Sequence, residues 1–312
     1  MLQYVLPLLE AIGGAEMNRQ KRADLMLVMI TLFWGASYFL MDVALTDLQP
    51  LNLNAFRFLV AFAVLGIIFR KNMLRLNRTT AKYGVVVGLS LVMVYIGATY
   101  GVKYTSISNA GFICALSTVT TPLIDALFNH KLPGKKLGIA LLLCTVGMAL
   151  LTLGDTFRPA PGDVICLLCA VFYGVDLVIT EHAVAQPEVD PMGLGVFQLI
   201  VTGIVMLLLS CFLETPHLPR SGSVWGAALF LSIFCTGICF LVQTVEQQYT
   251  SASRAGLIFA LEPVFSAVVA YVFAGERMSM RGYIGALLMF LSLVLMELDV
   301  EKLTKRRKHD DI

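Results

Sequence analysis

Charged residues are scarce in this chain of 312 residues: Asp, Glu, Lys and Arg make up 14% of it, whereas apolar residues make up 58%. A typical soluble domain carries about 25% charged residues, so a soluble fold of this composition would lack a polar surface. The four histidines are scattered, which disfavours a membrane-embedded lipid enzyme, because such a site needs clustered His, Asp or Ser groups. No GxxxxGK[ST] loop is present, so the chain carries no recognisable ATPase of its own. We therefore predict that the protein is not an enzyme.

A metal or redox centre is not indicated either. All seven cysteines fall within apolar stretches. Cys166 and Cys169 form a CxxC pair, but no second CxxC and no histidine cluster stands near it in the sequence. We interpret the cysteines as small packing residues, and we predict no metal and no cofactor.

Long apolar stretches are what the sequence has in abundance. A stretch of about 20 residues is long enough for a helix to cross roughly 30 Å of hydrocarbon, and these stretches do not alternate as membrane β-strands do. The sequence therefore predicts an all-α integral membrane fold with ten transmembrane helices. The predicted spans lie near residues 24–45, 52–69, 83–102, 106–128, 136–153, 163–182, 192–213, 224–245, 252–274 and 282–298.

The positive charges are unevenly divided between the two sides of the predicted membrane. Sixteen Lys and Arg residues lie in the N-terminal segment, the loops at 70–82 and 131–136, and the C-terminal tail, against five on the opposite side. This asymmetry follows the positive-inside rule. We therefore expect a multi-pass protein of the cytoplasmic membrane with both termini in the cytoplasm, which requires an even number of spans.

A strong internal repeat divides the chain into two halves. Residues 104–116 read YTSISNAGFICAL and residues 249–261 read YTSASRAGLIFAL, with nine of the thirteen positions identical. The copies lie at the start of the fourth and ninth spans, and an odd offset of five spans inverts the second half relative to the first. Inverted repeats are typical of secondary transporters, whose substrate site lies near the midplane. The predicted segments are a cytoplasmic segment 1–23, inverted five-helix repeats 24–153 and 163–298, and a basic cytoplasmic tail 299–312.

Four motifs within this frame resemble one known family. They are WGASYF at 34–39, the stretch from Pro50 to Arg57-Phe58, YTSxSxAG in both halves, and LEPVFSAVVAYVFAGERMS at 261–279. Together they closely resemble the EamA-type transporters of the drug/metabolite transporter superfamily, over nearly the whole chain from about residue 24 to 298. The resemblance implies ten helices in two inverted repeats, and export or exchange of small metabolites such as amino acids. Members of this family differ widely in substrate, and some import.

Charged residues inside the predicted spans are the first candidates for function, because a charge in a bilayer is costly and usually faces a cavity or a partner. Acids outnumber bases there, with Asp42, Asp125, Asp176, Glu246 and Glu262 against Arg57 and Arg254. This excess favours a cationic or amine-bearing substrate, proton coupling, or both.

Asp176 is the strongest of these candidates. It lies about thirteen residues into the sixth predicted span, beside Phe172 and Tyr173. A carboxylate next to aromatic faces can hold an ammonium group through charge and cation–π attraction, and a buried carboxylate can also relay protons. The structural alternative is a hydrogen bond to a neighbouring helix.

The other charged residues have structural alternatives of their own. Glu262 directly precedes Pro263 and fits either a cavity position or support of the kink that a proline introduces. Asp125 approaches the cytoplasmic end of the fourth span. Asp42 and Arg57 lie toward the outer ends of the first two spans, so a structural Asp42–Arg57 pair is the expectation there.

Aromatic and polar residues complete the predicted site. Tyr95 and Phe240 occupy equivalent positions in the repeat, as Trp34 and Tyr173 do, which suits two walls of one cavity. Helix packing and helix–helix hydrogen bonds are the alternative roles. The predicted substrate-binding residues are Trp34, Ser37, Tyr38, Tyr95, Thr99, Phe172, Tyr173, Asp176, Phe240, Gln243 and Glu262.

The predicted function is secondary active transport of a small metabolite by alternating access, with export of amino acids or related amines as the first expectation. Import or exchange of a quaternary amine or another nutrient is the alternative within this class. A passive channel is a third possibility, which the inverted repeat disfavours. The expected partners are a small-molecule substrate, the lipid bilayer and protons as the coupling ion, with no nucleic acid and an undetermined oligomeric state.

Overall fold

The computed structural model of this chain is all-helical. It describes residues 19–104, 113–130, 134–152, 161–274 and 279–297, and no strand occurs among them. A π-helix, Leu231–Ile238, joins the α-helices Gly222–Phe230 and Cys239–Glu246 without interruption. The α-helices are α1 (Arg19–Leu45), α2 (Pro50–Ile68), α3 (Arg70–Leu74), α4 (Arg78–Tyr104), α5 (Ser117–Asn129), α6 (Lys135–Thr152), α7 (Pro161–Val184), α8 (Pro191–Leu213), α9 (Gly222–Phe230), α10 (Cys239–Glu246), α11 (Ala252–Phe259), α12 (Glu262–Ala274) and α13 (Met280–Glu297).

Seven helical stretches in the described part of the chain are long and apolar enough to cross a membrane. They are Arg19–Leu45, Pro50–Ile68, Arg78–Gly101, Pro161–Val184, Pro191–Leu213, Gly222–Glu246 and Ala252–Val269. Shorter apolar helices cover Ile113–Asn129 and Met280–Leu295. The protein is therefore a multi-pass membrane protein. Helices lie at all ten predicted positions, while the count of ten crossings stays a prediction.

The polarity of the bundle is that of a membrane protein. Large apolar side chains point outward: Phe212 is 83% exposed, Leu127 75% and Ile67 74%. Charged and polar side chains lie inside, among them Arg57 at 2% exposure and Asp176 at 1%. A lipid-facing surface accounts for the first group, and buried charges of the second kind generally mark a functional interior.

The beginnings of α2 and α8 are built alike. Each helix starts at a proline, Pro50 or Pro191, which has no N–H and so leaves no unpaired donor at this position. The Asp190 side chain caps α8 by accepting a hydrogen bond from the backbone N–H of Met192 at 3.2 Å. In α2 the Glu214 carboxylate accepts bonds from the next two backbone N–H groups at 3.1 and 2.8 Å.

Helix pairs in the bundle are related by the internal repeat: equivalent helices of the two halves make equivalent contacts. α2 packs extensively on α8, and α6 on α13, so each of these helices contacts its counterpart in the other half. The packing of α4 on α7 is matched by the packing of the stretch Gly222–Glu246 on α1. Gly147 and Gly285 lie at the crossing of α6 and α13, and a Cβ on Gly147 would lie 2.6 Å from the Gly285 carbonyl oxygen. The architecture is therefore that of two related repeats.

Small residues set the closest approach of α4 to α7. A Cβ on Gly97 would lie 2.7 Å from the backbone nitrogen of Cys169, and a Cβ on Gly101 would collide with Cys166. Both cysteines are buried, and neither takes part in a disulfide. Gly97 and Gly101 thus form a small-xxx-small pair that allows close packing, with the CxxC cysteines as the surface against which they pack.

Candidate substrate-binding site

Six aromatic rings meet in the middle of the bundle, and they are called the ring cluster below. Trp34 of α1 lies at its centre. The Trp34 ring is 4.9 Å from that of Phe259, 5.6 Å from Phe240 and 6.2 Å from Tyr173, measured between centroids. One ring from the first half thus contacts three from the second. The ring cluster consists of Trp34, Phe58, Tyr95, Tyr173, Phe240 and Phe259.

Tyr95 and Phe240, the equivalent residues of the repeat, contact one another across the two halves. Their ring centroids are 6.2 Å apart, and the Phe58 ring lies 4.9 Å from Tyr95 and 6.0 Å from Phe240. The structure therefore brings this predicted pair together. That the two rings line a substrate cavity stays a prediction.

The π-helix Leu231–Ile238 supplies hydrogen-bond acceptors for side chains in and beside the ring cluster. Trp34 Nε1 donates a hydrogen bond of 2.8 Å to the carbonyl oxygen of Cys235. Arg57 Nε donates a bond of 3.1 Å to the hydroxyl of Thr236, one residue further along. π-Helical segments inside α-helices occur frequently at functional sites, and this one holds two buried polar side chains from the first half.

The Asp176 carboxylate lies next to this ring cluster. Ser90 Oγ donates a hydrogen bond of 2.5 Å to Asp176 Oδ1. The second oxygen, Oδ2, is buried and has no hydrogen bond of good geometry among the described residues, although the Gln243 side chain lies beside the carboxylate. Gln243 in turn accepts a bond of 3.2 Å from the hydroxyl of Tyr173. Asp176, Ser90, Gln243 and Tyr173 form one polar group, called the carboxylate site below.

Arg57 provides a buried positive charge beside Tyr95. Its guanidinium carbon lies 5.3 Å from the Tyr95 ring centroid. Besides the bond to Thr236, Nη1 donates to the thioether sulfur of Met41 at 3.4 Å. The ion pairs among the described side chains do not include Arg57. The predicted pair with Asp42 lies outside the described residues, because the Asp42 side chain is not among them.

Glu262 begins α12 and is partly buried. Its carboxylate lies within electrostatic range of the Tyr95 and Tyr173 hydroxyl groups. The structure therefore places a second acid near the ring cluster.

The remaining predicted residues differ in position. Ser37 donates to the carbonyl of Trp34 at 2.7 Å, and Thr99 donates to that of Tyr95 at 2.6 Å, so both hydroxyls bond within their own helices. Phe172 is partly exposed and takes part in none of the ring contacts found between described side chains. The side chain of Tyr38 lies outside the described residues. These four have no demonstrated part in the cluster.

A network of charged side chains joins the helices at the end of the bundle where α1 begins. Asp24 of α1 forms an ion pair of 2.7 Å with Arg254 of α11 and accepts a bond of 3.1 Å from the Thr250 hydroxyl. Arg22 pairs with Glu246 at 3.6 Å. Glu246 and Arg254 are thus both paired at this end of the bundle. The contacts tie α1, α10 and α11 together, and we call them the charged network.

Several residues of the site were missed by sequence reasoning. Phe58 and Phe259 complete the ring cluster, Ser90 supplies the bond to Asp176, and Thr236 holds Arg57. Ser90 had a weak signal, since it is a lone polar residue in the apolar run 85–94. The two phenylalanines had none, because phenylalanine is common throughout such spans.

A bundle of apolar helices that encloses a carboxylate, a guanidinium and six aromatic rings defines a polytopic membrane protein with an internal polar site. The sequence pattern of the EamA-like transporter family matches residues 21–153 and again residues 160–298. These two matches cover most of the chain. The protein belongs to the EamA-like transporter family, and the resemblance seen in the motifs is confirmed.

Related proteins also carry transporter names. A protein of Archaeoglobus fulgidus, named an uncharacterized transporter, is 28% identical over 288 residues, which cover 92% of this chain and 90% of that protein. The uncharacterized transporter YyaM of Bacillus subtilis is 24% identical, with 86% of this chain and 92% of that protein covered. A chain of known crystal structure has the same fold, with a TM-score of 0.77 at 20% identity over 91% of this chain and 99% of that one. The family and these names identify a membrane transporter.

Proposed function

We propose that the protein is a secondary active transporter that exports small amine-bearing metabolites, amino acids or related amines, across the cytoplasmic membrane. The observation that carries this proposal is the carboxylate site. Asp176 is 1% exposed, and Oδ2 has no well-formed hydrogen bond among the described residues. A buried carboxylate that keeps an open acceptor in an apolar bundle is costly for the fold, and an ammonium group of a substrate would compensate this cost.

The surroundings of Asp176 suit such a substrate. Tyr173 contacts Trp34 and Phe259 by its ring and Gln243 by its hydroxyl. An ammonium group beside Asp176 would therefore meet aromatic faces, which attract cations, while the apolar part of the molecule packs on the ring cluster. Protons are the proposed coupling ion, because a carboxylate that binds either a proton or an amine couples proton movement to substrate movement.

Alternating access is the proposed mechanism, and the two-repeat architecture supports it. The ring cluster draws rings from both halves, so a rocking motion of one half against the other would open and close it. The charged network ties the helices at one end of the bundle. Opening of that end requires these contacts to break. The inverted arrangement of ten spans and the cytoplasmic location of both termini belong to this proposal.

A quaternary amine is the second candidate substrate, imported or exchanged. The ring cluster favours it, because several aromatic rings around one point are a common way to bind a quaternary ammonium group. The two candidates differ in one property: an amino acid carries a carboxylate and a quaternary amine need not.

Thermal unfolding of the detergent-purified protein with a ligand panel tests the proposal. The panel holds zwitterionic amino acids, polyamines, quaternary amines and nucleosides. Ligands that bind the folded state raise its stability according to their occupancy. We expect an amine-bearing ligand to stabilise the wild type and to lose this effect in Asp176→Asn. The matched control is Asp163→Asn, which removes an acid from the first turn of the same helix and should leave the ligand effect intact.

Transport itself is measured by counterflow in proteoliposomes with the ligand that stabilises. In a transporter, uptake of labelled substrate is accelerated by unlabelled substrate on the opposite side of the membrane. In a channel it is not. Equal stabilisation of the wild type and Asp176→Asn by ligands of another class would refute the role of Asp176. Absence of trans-acceleration would refute alternating access.

A further inference from the structure

Arg57 is a buried cation whose hydrogen bonds are incomplete. Its guanidinium has five N–H donors, and the side chain is only 2% exposed. Nε donates to Thr236 and Nη1 to the sulfur of Met41. The other three N–H groups have no hydrogen-bond partner among the described residues, apart from the contact with the Tyr95 ring. Buried charges usually have a charged or fully hydrogen-bonding partner, so this guanidinium has spare capacity for an anion.

The fold does not require a cation at this position. The start of α2 is repeated at the start of α8, and the repeat puts Gln198 where α2 has Arg57. Gln198 is buried, and its amide donates to the hydroxyl of Thr244 at 3.0 Å. Thr236 and Thr244 both lie in the stretch Gly222–Glu246. In the second half, a neutral side chain that donates to a threonine of this stretch is therefore sufficient at the position equivalent to Arg57. The residues shared at equivalent positions are Pro50 and Pro191, Leu53 and Leu194, Phe56 and Phe197, and Val60 and Val201.

The contacts around Arg57 can give way to a carboxylate. A thioether is a weak acceptor, and the long flexible methionine side chain adopts other rotamers at low cost. A carboxylate could therefore replace Met41 on Nη1 and take the unpartnered N–H groups as a bidentate partner. Such charge-assisted pairs are short and strong, and the planar fork of arginine matches them.

Arg57 and the carboxylate site lie at neighbouring levels of the bundle. Ser90, which contacts Asp176, and Tyr95, which contacts Arg57, are both on α4. They are five residues apart, which is a rise of about 7.5 Å along a helix. An α-amino acid that is held at each end by hydrogen bonds of about 2.8 Å bridges charged groups roughly 8–10 Å apart. This rise along α4 is of the same order as the length that one small zwitterion spans.

We propose that Arg57 is a specificity-determining residue that binds the carboxylate of the substrate, so that the transported molecule is an amino acid. The ammonium group of the same molecule binds Asp176, and in this respect the proposal rests on the proposed function. Simple amines and quaternary amines without a carboxylate would leave Arg57 without its anion. The two buried charges of opposite sign thus select a zwitterion.

Binding of matched ligands to the full-length protein tests this assignment. Each set holds an amino acid, the amine formed by removing its carboxylate, and the acid formed by removing its amine: for example leucine, 3-methylbutylamine and 4-methylpentanoate. The wild type should bind the amino acid of one set more tightly than its amine. In Arg57→Gln, which copies the residue of the second half, affinity for that amino acid should fall about 10–100-fold, while affinity for the amine stays within about twofold. Asp176→Asn should lower the affinity for the amino acid and the affinity for the amine together.

A second variant guards against a folding defect. Arg57→Lys keeps the charge but loses the bidentate fork. It should lower the affinity for the amino acid less than Arg57→Gln does. If Arg57→Gln does not fold, a loss of amino-acid affinity in Arg57→Lys with unchanged amine affinity supports the proposal. Equal losses for amino acid and amine in either variant would overturn it. So would a wild type that binds the amines as tightly as the amino acids, an outcome that leaves the transporter proposal standing. Failure of every amine-bearing ligand to bind would instead overturn the proposed function.

Discussion

Replacing Asp24 by asparagine removes the charge at the centre of the charged network. Asp24 Oδ2 accepts bonds from Arg254 Nη2 at 2.7 Å and Nε at 2.9 Å, and Oδ1 accepts from Thr250 at 3.1 Å. Arg254 thus directs two N–H groups of one edge of its guanidinium at one carboxylate oxygen. The pair connects α1 to α11, two helices from opposite halves of the chain. Asparagine keeps the size and an acceptor oxygen, so the change isolates the charge.

The size of the effect follows from the burial of the pair. The side chain of Arg254 is 15% exposed and that of Asp24 10%. Exposed pairs contribute about 0–1 kcal/mol, and breaking fully buried pairs costs about 3–5 kcal/mol. The intermediate burial here leads us to expect a coupling energy of about 1–3 kcal/mol between the two charges.

A double-mutant cycle measures this coupling, with Asp24→Asn, Arg254→Gln and the double variant unfolded reversibly in mixed micelles. The matched control is the pair of Asp47 and Arg220 at the other end of α1. There the charged atoms are 4.0 Å apart, and the Arg220 side chain is 75% exposed. Its cycle should give a coupling of less than about 0.5 kcal/mol.

The reasoning is refuted if the two cycles give the same coupling. A large value for the pair Asp24–Arg254 together with unchanged transport would show that the pair stabilises the fold without taking part in opening. If that end opens during transport, Asp24→Asn should shift the balance toward the open form, by about tenfold for each 1.4 kcal/mol of coupling lost.

Two further substitutions test the packing and the hydrogen bonds of the bundle in the same unfolding assay. Gly97→Ala should destabilise the protein by about 1–3 kcal/mol, because the new Cβ would lie 2.7 Å from the backbone nitrogen of Cys169. Gly226→Ala, which meets nothing within 4 Å, is its control and should change stability by less than about 0.5 kcal/mol. An equal effect of both would contradict the close approach of α4 and α7. Trp34→Phe keeps a ring but removes the donor to the Cys235 carbonyl, so we expect a loss of about 0.6–1.7 kcal/mol, and no loss would mean that the bond is unimportant.

Much of this protein could be predicted from sequence because the relevant signals are local. The length and hydropathy of each span are dictated by bilayer thickness, and they are properties of contiguous residues. The repeat is visible by eye in two stretches of thirteen residues, 104–116 and 249–261. Asp176 and Arg57 could be singled out for a similar reason, since any charge in an apolar span is conspicuous. These features required no knowledge of which helices touch.

The partners of these residues were decided by the tertiary structure. Ser90 contacts Asp176 from a helix 86 residues earlier in the chain, and Thr236 contacts Arg57 from a helix 179 residues later. Which rings meet Trp34 depends on the rotation of each helix about its own axis. In a membrane that rotation is set by small residues and by interhelical hydrogen bonds rather than by a hydrophobic stripe. Because apolar spans look alike on every face, the sequence by itself identified the charged residues Asp176 and Arg57, but not the neighbours that complete the site. Only the packing of the helices decided which residues form one site.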